Sequence, residues 1–209
     1  MLYHERQAGK KGYSIIIGVD EAGRGPLAGP VVVAAVHLKT FRFKSRVDDS
    51  KKLTETQRNN AFAEIIKKSD FGVGVIRESV IDEINIARAA SLGVDDAVLK
   101  LLSSLKKPRP VYKNTILLLD GTLDSSLPYY CKEIIGGDGL SFSIACASIV
   151  AKVIRDRIMQ AYDRMYPQYG FGLHKGYGTK KHMENIGRYG LSAIHRKTFC
   201  QKVFLKNER

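Results

Sequence analysis

The 209-residue chain is poor in cysteine. It has three, Cys131, Cys146 and Cys200, an odd set with no CxxC spacing. That argues against a disulfide scaffold and a zinc site, and it fits a reducing cytoplasm. Long hydrophobic runs are also missing. The longest strictly apolar stretch, Val31–Val36, has six residues, far short of the roughly 20 that a membrane-crossing helix needs. The opening MLYHERQAGKKGYS has no apolar segment of the kind a secretory leader carries. A cytoplasmic protein with no membrane partner is therefore expected. Internal repeats, low-complexity tracts and linkers are absent too. What is present, 44% hydrophobic and 26% charged residues, excludes wholesale disorder and suits one compact domain.

Negative charge is scarce. Against 34 Lys and Arg stand 21 Asp and Glu, for a net charge of +13. The excess is uneven: residues 151–209 hold 13 basic and 4 acidic residues, a net +9. Such a segment is the electrostatic footprint of a polyanion binder, although a solubilising surface looks the same by charge alone.

Periodicity predicts a mixed α/β chain. Ser14–Asp20 and Val31–Leu38 read as strands, joined by the turn-rich EAGRGPLAGP. That link is too short for a helical crossover, so the pair should be antiparallel. Thr54 can cap a helix over 55–68. Phe71–Ile76 reads as a third strand and 80–105 as one or two helices, followed by a loop over Lys106–Lys113. Thr115–Asp120 is a buried strand and Lys132–Ile135 a short one. Ser143–Met165 is a long helix, and Lys180–Tyr189 and Ser192–Lys197 are shorter helical stretches.

Three acidic sites follow apolar runs: Asp20–Glu21 after IIIGV, Asp120 after TILLL and Asp138 after EIIGG. An ionised carboxylate at the end of a buried strand is costly unless it is paired or bound to a metal. If the strands are neighbours, their ends converge and the acids invite a hard divalent cation, Mg²⁺ or Mn²⁺. Paired ions cleave phosphodiesters by activating water and steadying the leaving oxygen. Each acid taken singly is better explained by a turn or a cap, whereas the four together beside a basic tail favour the metal.

Gly23-Arg24-Gly25, with Gly29 beyond, follows the first strand but does not open a helix, because Pro26 and Pro30 interrupt. No Gly-Lys-Ser/Thr follows either, so neither a dinucleotide fingerprint nor a Walker loop is present. The glycines suit a tight turn that a ligand can approach closely. Ser50 and Lys51 precede the capped helix, where phosphate can bind. HKGYGTKKH, 174–182, is basic and holds Tyr177 in a glycine turn, able to stack on a sugar or base. Neither of its histidines needs a catalytic role. Ser148, Lys152, Arg155 and Asp156 recur at helical spacings, for which an internal ion pair or a solvated face is the ordinary explanation.

Taken in order, GVDEAGRGPLAGPVVVAAV, DDSKKLT, IDEINIARA, LLLDG, GGDGLSFSIACASIVAKVIRDR, YPQYGFGLHKGYGTKKH and IHRKTF resemble bacterial ribonuclease HII, the type 2 ribonuclease H, over residues 14–199. The resemblance implies a ribonuclease H-like mixed sheet flanked by helices. Residues 1–150 would form the catalytic core. Residues 151–209 would continue the core helix into a basic helical C-terminal subdomain of the same compact, monomeric unit. It implies a metal-dependent endonuclease that takes an RNA–DNA hybrid or a DNA duplex with embedded ribonucleotides. Cleavage would fall 5′ to the ribonucleotide, leaving 3′-hydroxyl and 5′-phosphate ends. The family's four acids carry over to Asp20, Glu21, Asp120 and Asp138, with Mg²⁺ or Mn²⁺ in a two-metal site. The ribose-sensing turn carries over to Gly23, Arg24 and Gly25, the junction tyrosine to Tyr177, and phosphate contacts to Ser50 and Lys51. The chain departs from the usual pattern at Cys146 and after Phe199. Two other classes use part of this pattern: an idle nucleic-acid-binding domain, which has no use for the acids, and a different two-metal nuclease of the same fold, for which the Gly-Arg-Gly turn and Tyr177 loop are less suited.

Overall fold

The computed structural model describes residues 1–105 and 112–201. Most of the expected loop at 106–113, and the chain after 201, lie outside the described residues. Five strands form one sheet: β1 (Ile15–Ala22), β2 (Val31–Leu38), β3 (Ser69–Ile76), β4 (Thr115–Asp120) and β5 (Tyr130–Ile134). Their order is β3-β2-β1-β4-β5. The short-linked pair β1–β2 is antiparallel, as is β2–β3, whereas β1–β4 and β4–β5 are parallel.

Helices cover both faces. α2 (Glu55–Lys68) begins at Thr54, whose hydroxyl accepts from the Gln57 amide while Gln57 reaches back to the Thr54 amide, a reciprocal cap. α2 and α6 (Phe142–Met165) lie on one face, against Ala34 and Val36. α4 (Ile86–Ser104) lies on the other, against Ile17, Val19, Val33, Ala35, Leu117 and Leu119. The strict alternation follows from the two-residue period of a strand. Gly18 on β1 is where α6 crosses most closely. A Cβ there would sit 2.2 Å from the Ser143 carbonyl carbon, so a side chain would push the helix off the sheet.

The structure splits 80–105 into α3 (Glu78–Ile84) and α4, divided at Asn85, whose φ is +68° and whose side chain caps α4. An unanticipated helix, α1 (Tyr3–Lys10), opens the chain. Its buried Glu5 accepts hydrogen bonds from Ser141 and Ser143 at the start of α6. After the short α5 (Gly137–Leu140) and α7 (Phe171–His174), α8 (Lys180–Tyr189) falls where expected. Ser192–Lys197 does not form a helix. His195 instead bridges Ala28 in an antiparallel contact, and helix resumes only at Lys197. That backbone hydrogen-bonds to Leu27 and Gly29, a partner that local spacing cannot reveal. Among the described residues no helix is long and apolar enough to cross a membrane.

Candidate active site

The sheet brings three acids together. Parallel pairing sets Val19 beside Leu119, so Asp20 and Asp120 stand side by side one residue further on. Both follow the alternation that faces α6, shared by Gly18 on β1 and by Ile116 and Leu118 on β4. Asp138 arrives on α5, just past β5, rather than at a strand end. The turn is held by the Gly137 amide donating to Asp120 Oδ1 at 2.6 Å. Carboxylate oxygens of Asp20, Asp120 and Asp138 all lie within 4.8 Å of one another. Glu21, offset by the strand's alternation, is outside this triad but lines the same cleft of about 280 Å³.

Electrostatics oppose this crowding. Burial drives the Asp20 carboxyl well above its ordinary range, and Glu21 and Asp120 push the same way. Glu21 is raised chiefly by burial, with Arg24 opposing and Asp120 adding. Asp138 is raised by burial, then by Asp120 and Asp49, against the pull of Lys51. Among the described residues Glu21 Oε2 is buried without a hydrogen-bond partner. A set of oxygen donors that resists ionising together fits a hard divalent cation, which relieves the repulsion.

Beside the acids runs the Gly23-Arg24-Gly25 turn. Gly23 has φ +99°, and a Cβ there would meet Arg155 Nε at 2.1 Å, so only glycine fits. Arg24 Nη1 reaches Glu21 Oε1 at 3.4 Å. Two buried arginines hold the segment from Gly23 to Pro30. Arg155 on α6 donates to the carbonyls of Pro30 and Ala28. Arg196 donates to the carbonyls of Gly23 at 2.6 Å, Arg24 at 2.9 Å and Gly29 at 2.7 and 2.9 Å. Burial, with Arg155 nearby, lowers Arg196 to about 10, so it stays charged at neutral pH. Helical spacing alone predicts an ion pair or a solvated face for this part of α6. Lys152–Asp156 is such a pair, but Arg155 is only 1% exposed. Arg196 has one signal in the sequence, its place in the block IHRKTF.

The remaining candidates lie around the rim. Ser50 is buried and accepts from Ser148 Oγ at 2.9 Å. Lys51 Nζ is 3.4 Å from Asp138 Oδ2, and its exposed side chain stands at the cleft mouth. Tyr177 is 47% exposed. Its ring lies 6.0 Å from the Arg155 guanidinium carbon and faces Gly25, where a Cβ would stand 3.9 Å from Tyr177 Cε1. Asp20, Glu21, Asp120, the Gly-Arg-Gly turn, Ser50, Lys51 and Tyr177 therefore share one cleft, with Asp138 at its edge through Lys51.

The chain is similar to known proteins over most of its length. The family model "Ribonuclease HII" matches residues 17–202. The Ribonuclease HII of Acholeplasma laidlawii is 49% identical over 201 residues, 95% of this chain and 94% of that protein. The Ribonuclease HII of Ruminiclostridium cellulolyticum is 48% identical over 202 residues, 96% of this chain and 76% of that protein. Among solved structures, the fold is shared with the Archaeoglobus fulgidus RNase HII solved in complex with PCNA, with TM-score 0.69, 22% identity and coverage of 88% and 94%. It is shared also with a Bst-RNase HIII solved with Mn²⁺, with TM-score 0.71, 18% identity and coverage of 97% and 73%. A family match that spans nearly the whole chain, with identity near one half to relatives it covers over three quarters or more of their length, settles the kinship: the chain belongs to the ribonuclease HII family, the type 2 ribonuclease H endonucleases.

Proposed function

We propose that this ribonuclease H cuts the RNA strand of RNA–DNA hybrids and also cuts at single ribonucleotides embedded in duplex DNA. Cleavage falls on the 5′ side of the ribonucleotide and leaves 3′-hydroxyl and 5′-phosphate ends. Asp20, Asp120 and Asp138 hold the divalent ions, with Glu21 completing the set from the cleft wall. Bound Mg²⁺ or Mn²⁺ would supply the charge that activates water and steadies the leaving oxygen. The Mn²⁺ in the Bst-RNase HIII of the same fold supports a divalent ion here.

One observation carries the substrate reading: the Gly-Arg-Gly turn lies in the same cleft as the acids, with its carbonyls pinned from behind. In a trans peptide the N–H points opposite to the preceding C=O. Arg196 takes the Gly23 and Arg24 carbonyls, so the amides of Arg24 and Gly25 point away from it. Two polar groups held in place beside the scissile phosphate can hydrogen-bond a 2′-hydroxyl. A deoxyribose leaves them unpaired, at a cost of roughly 1–3 kcal/mol, and misaligns the phosphate as well. Tyr177, facing Gly25, packs on the sugar that follows. Ser50 and Lys51 and the basic segment 151–209 bind backbone phosphates.

A duplex with one ribonucleotide, incubated with and without Mg²⁺, tests this. Cleavage on the 5′ side that stops with a chelator and leaves a ligatable 3′-hydroxyl is expected. Cutting on the 3′ side, or undiminished cutting in chelator, contradicts it.

A further inference from the structure

Behind Tyr177, outside the cleft, three histidines pack together against Tyr169 and Phe171. His182 and His195 are 0% and 2% exposed, and the rings of His174 and His182 stack at 4.3 Å. Their hydrogen bonds leave only one arrangement of protons. A backbone amide can only donate, and Ser192 N–H donates to His195 Nδ1 at 2.8 Å. His195 Nδ1 is therefore bare and its proton sits on Nε2. That nitrogen is 3.0 Å from His182 Nε2, so His182 must accept there and carry its own proton on Nδ1. His182 Nδ1 is 2.8 Å from the Tyr177 carbonyl oxygen, which can only accept. The constraint from the Ser192 end and the constraint from the Tyr177 end agree. His174 is fixed separately. Its Nδ1 accepts from the Gly176 amide at 3.2 Å, and its Nε2 donates to the Tyr169 carbonyl at 2.9 Å.

The two ends of this chain are the two arms of the ribose-side wall. At one end is the Tyr177 backbone. At the other is the 192–196 segment, in which Arg196, next to His195, pins the Gly-Arg-Gly turn, and whose backbone pairs with Leu27 and Gly29. None of the three imidazoles lines the cleft of the acids. We propose that His182 and His195 are positioning residues, a proton-ordered imidazole pair that sets Tyr177 against the Gly-Arg-Gly turn and so fixes how the protein meets the sugar at a ribonucleotide junction. The functional half of this rests on the reading of Tyr177 given above.

Long-range ¹H–¹⁵N spectra of the full chain at neutral pH read the tautomers without any activity. His182 should carry its proton on Nδ1 and His195 on Nε2. A proton on His182 Nε2 overturns the proposal. Substitution separates positioning from packing. An asparagine amide can stand near the place of Nδ1, whereas a glutamine amide stands near Nε2. His182→Gln should therefore lose the bond to Tyr177 and cut the single-ribonucleotide duplex about tenfold more slowly relative to a continuous hybrid, the loss expected of one net hydrogen bond. His182→Asn should restore the ratio to within about twofold on the same scale. Equal ratios in the two variants overturn the positioning role. Thermal melting identifies a variant that fails to fold, and the tautomer spectrum then decides alone. Tyr177→Ala is run alongside. If it lowers the single-ribonucleotide rate selectively while the His182 variants do not differ, the positioning role alone falls. If it shows no selectivity, the junction reading falls and takes the functional half of the proposal with it.

Discussion

The acid triad and the wall made by the Gly-Arg-Gly turn and Tyr177 are built in opposite ways. The triad is made by the sheet itself: two parallel strands in register deliver Asp20 and Asp120, and the turn after β5 delivers Asp138. Its members repel and destabilise one another, and the backbone holds them regardless. The wall lies beyond the sheet, where only a few backbone bonds at Leu27 and Gly29 tie it. Its turn and its tyrosine loop are held by side chains from far along the chain, Arg196, His182 and His195, while Arg155 fixes Ala28 and Pro30 beyond the turn. On the proposed reading the sheet places the chemistry and long-range buried polar contacts place the selectivity, so damage to the two regions should differ in kind.

The largest effect is expected at the triad. Asp20→Asn or Asp120→Asn should lower cleavage by roughly 10³-fold or more while duplex binding persists. Without divalent ions, Asp20→Asn should also melt at a higher temperature than the unaltered protein, because a buried, crowded carboxylate is gone. A lower melting temperature would show that the triad is not strained.

Arg196→Ala should do the reverse. It strands the carbonyls of Gly23, Arg24 and Gly29, and unsatisfied buried groups cost about 1–3 kcal/mol each. Denaturant unfolding should show a loss of at least about 3 kcal/mol, and any folded enzyme should discriminate poorly between ribose and deoxyribose. Full stability with intact discrimination would break the comparison.

The histidines predict a pH effect of fixed sign. Burial lowers His182 and His195 from 6.5 to about 4, with His174 adding to the first and His182 to the second. The unfolded chain thus takes up protons near 6.5 and the folded chain only near 4. Their contribution to stability is complete above pH 6.5 and declines as the pH falls toward 4. The buried acids shift the other way, so the useful quantity is a difference. The gap in melting temperature between the unaltered protein and His195→Asn should narrow between pH 7 and pH 4.5, by a few degrees for about 1 kcal/mol. A gap that stays constant contradicts the assignment.

The smallest effect is at the basic periphery. Neutralising Lys175, Lys180 and Lys181 together should flatten the salt dependence of log K by about 0.9 for each backbone phosphate that no longer meets a lysine, with catalysis of bound substrate unchanged. An unaltered slope removes these residues from the phosphate surface.

The same contrast sets what the sequence discloses. β2, β4, α2 and α8 have the bounds that apolar period and capping predict, because those signals are local. The acids stand out because a carboxylate after an Ile/Leu/Val run is incongruous. Period alone could not show that Asp120 meets Asp20 or that Glu21 stands apart from the three, since register and pleat at a strand end belong to the sheet. α1 is too polar to announce itself. Arg196 and His195 look like surface residues in a basic tail, yet Arg196 meets Arg24 across 172 positions of sequence. Contacts at such a separation have no local period.

Tyr177→Ala, assayed on two substrates, tests the division of labour most directly. The residue lies in the wall, facing Gly25, so a marked loss of rate is expected on a duplex with one ribonucleotide and a smaller loss on a continuous RNA–DNA hybrid. An equal loss on both would contradict that division, and so would efficient cutting of all-DNA duplex by the unaltered protein.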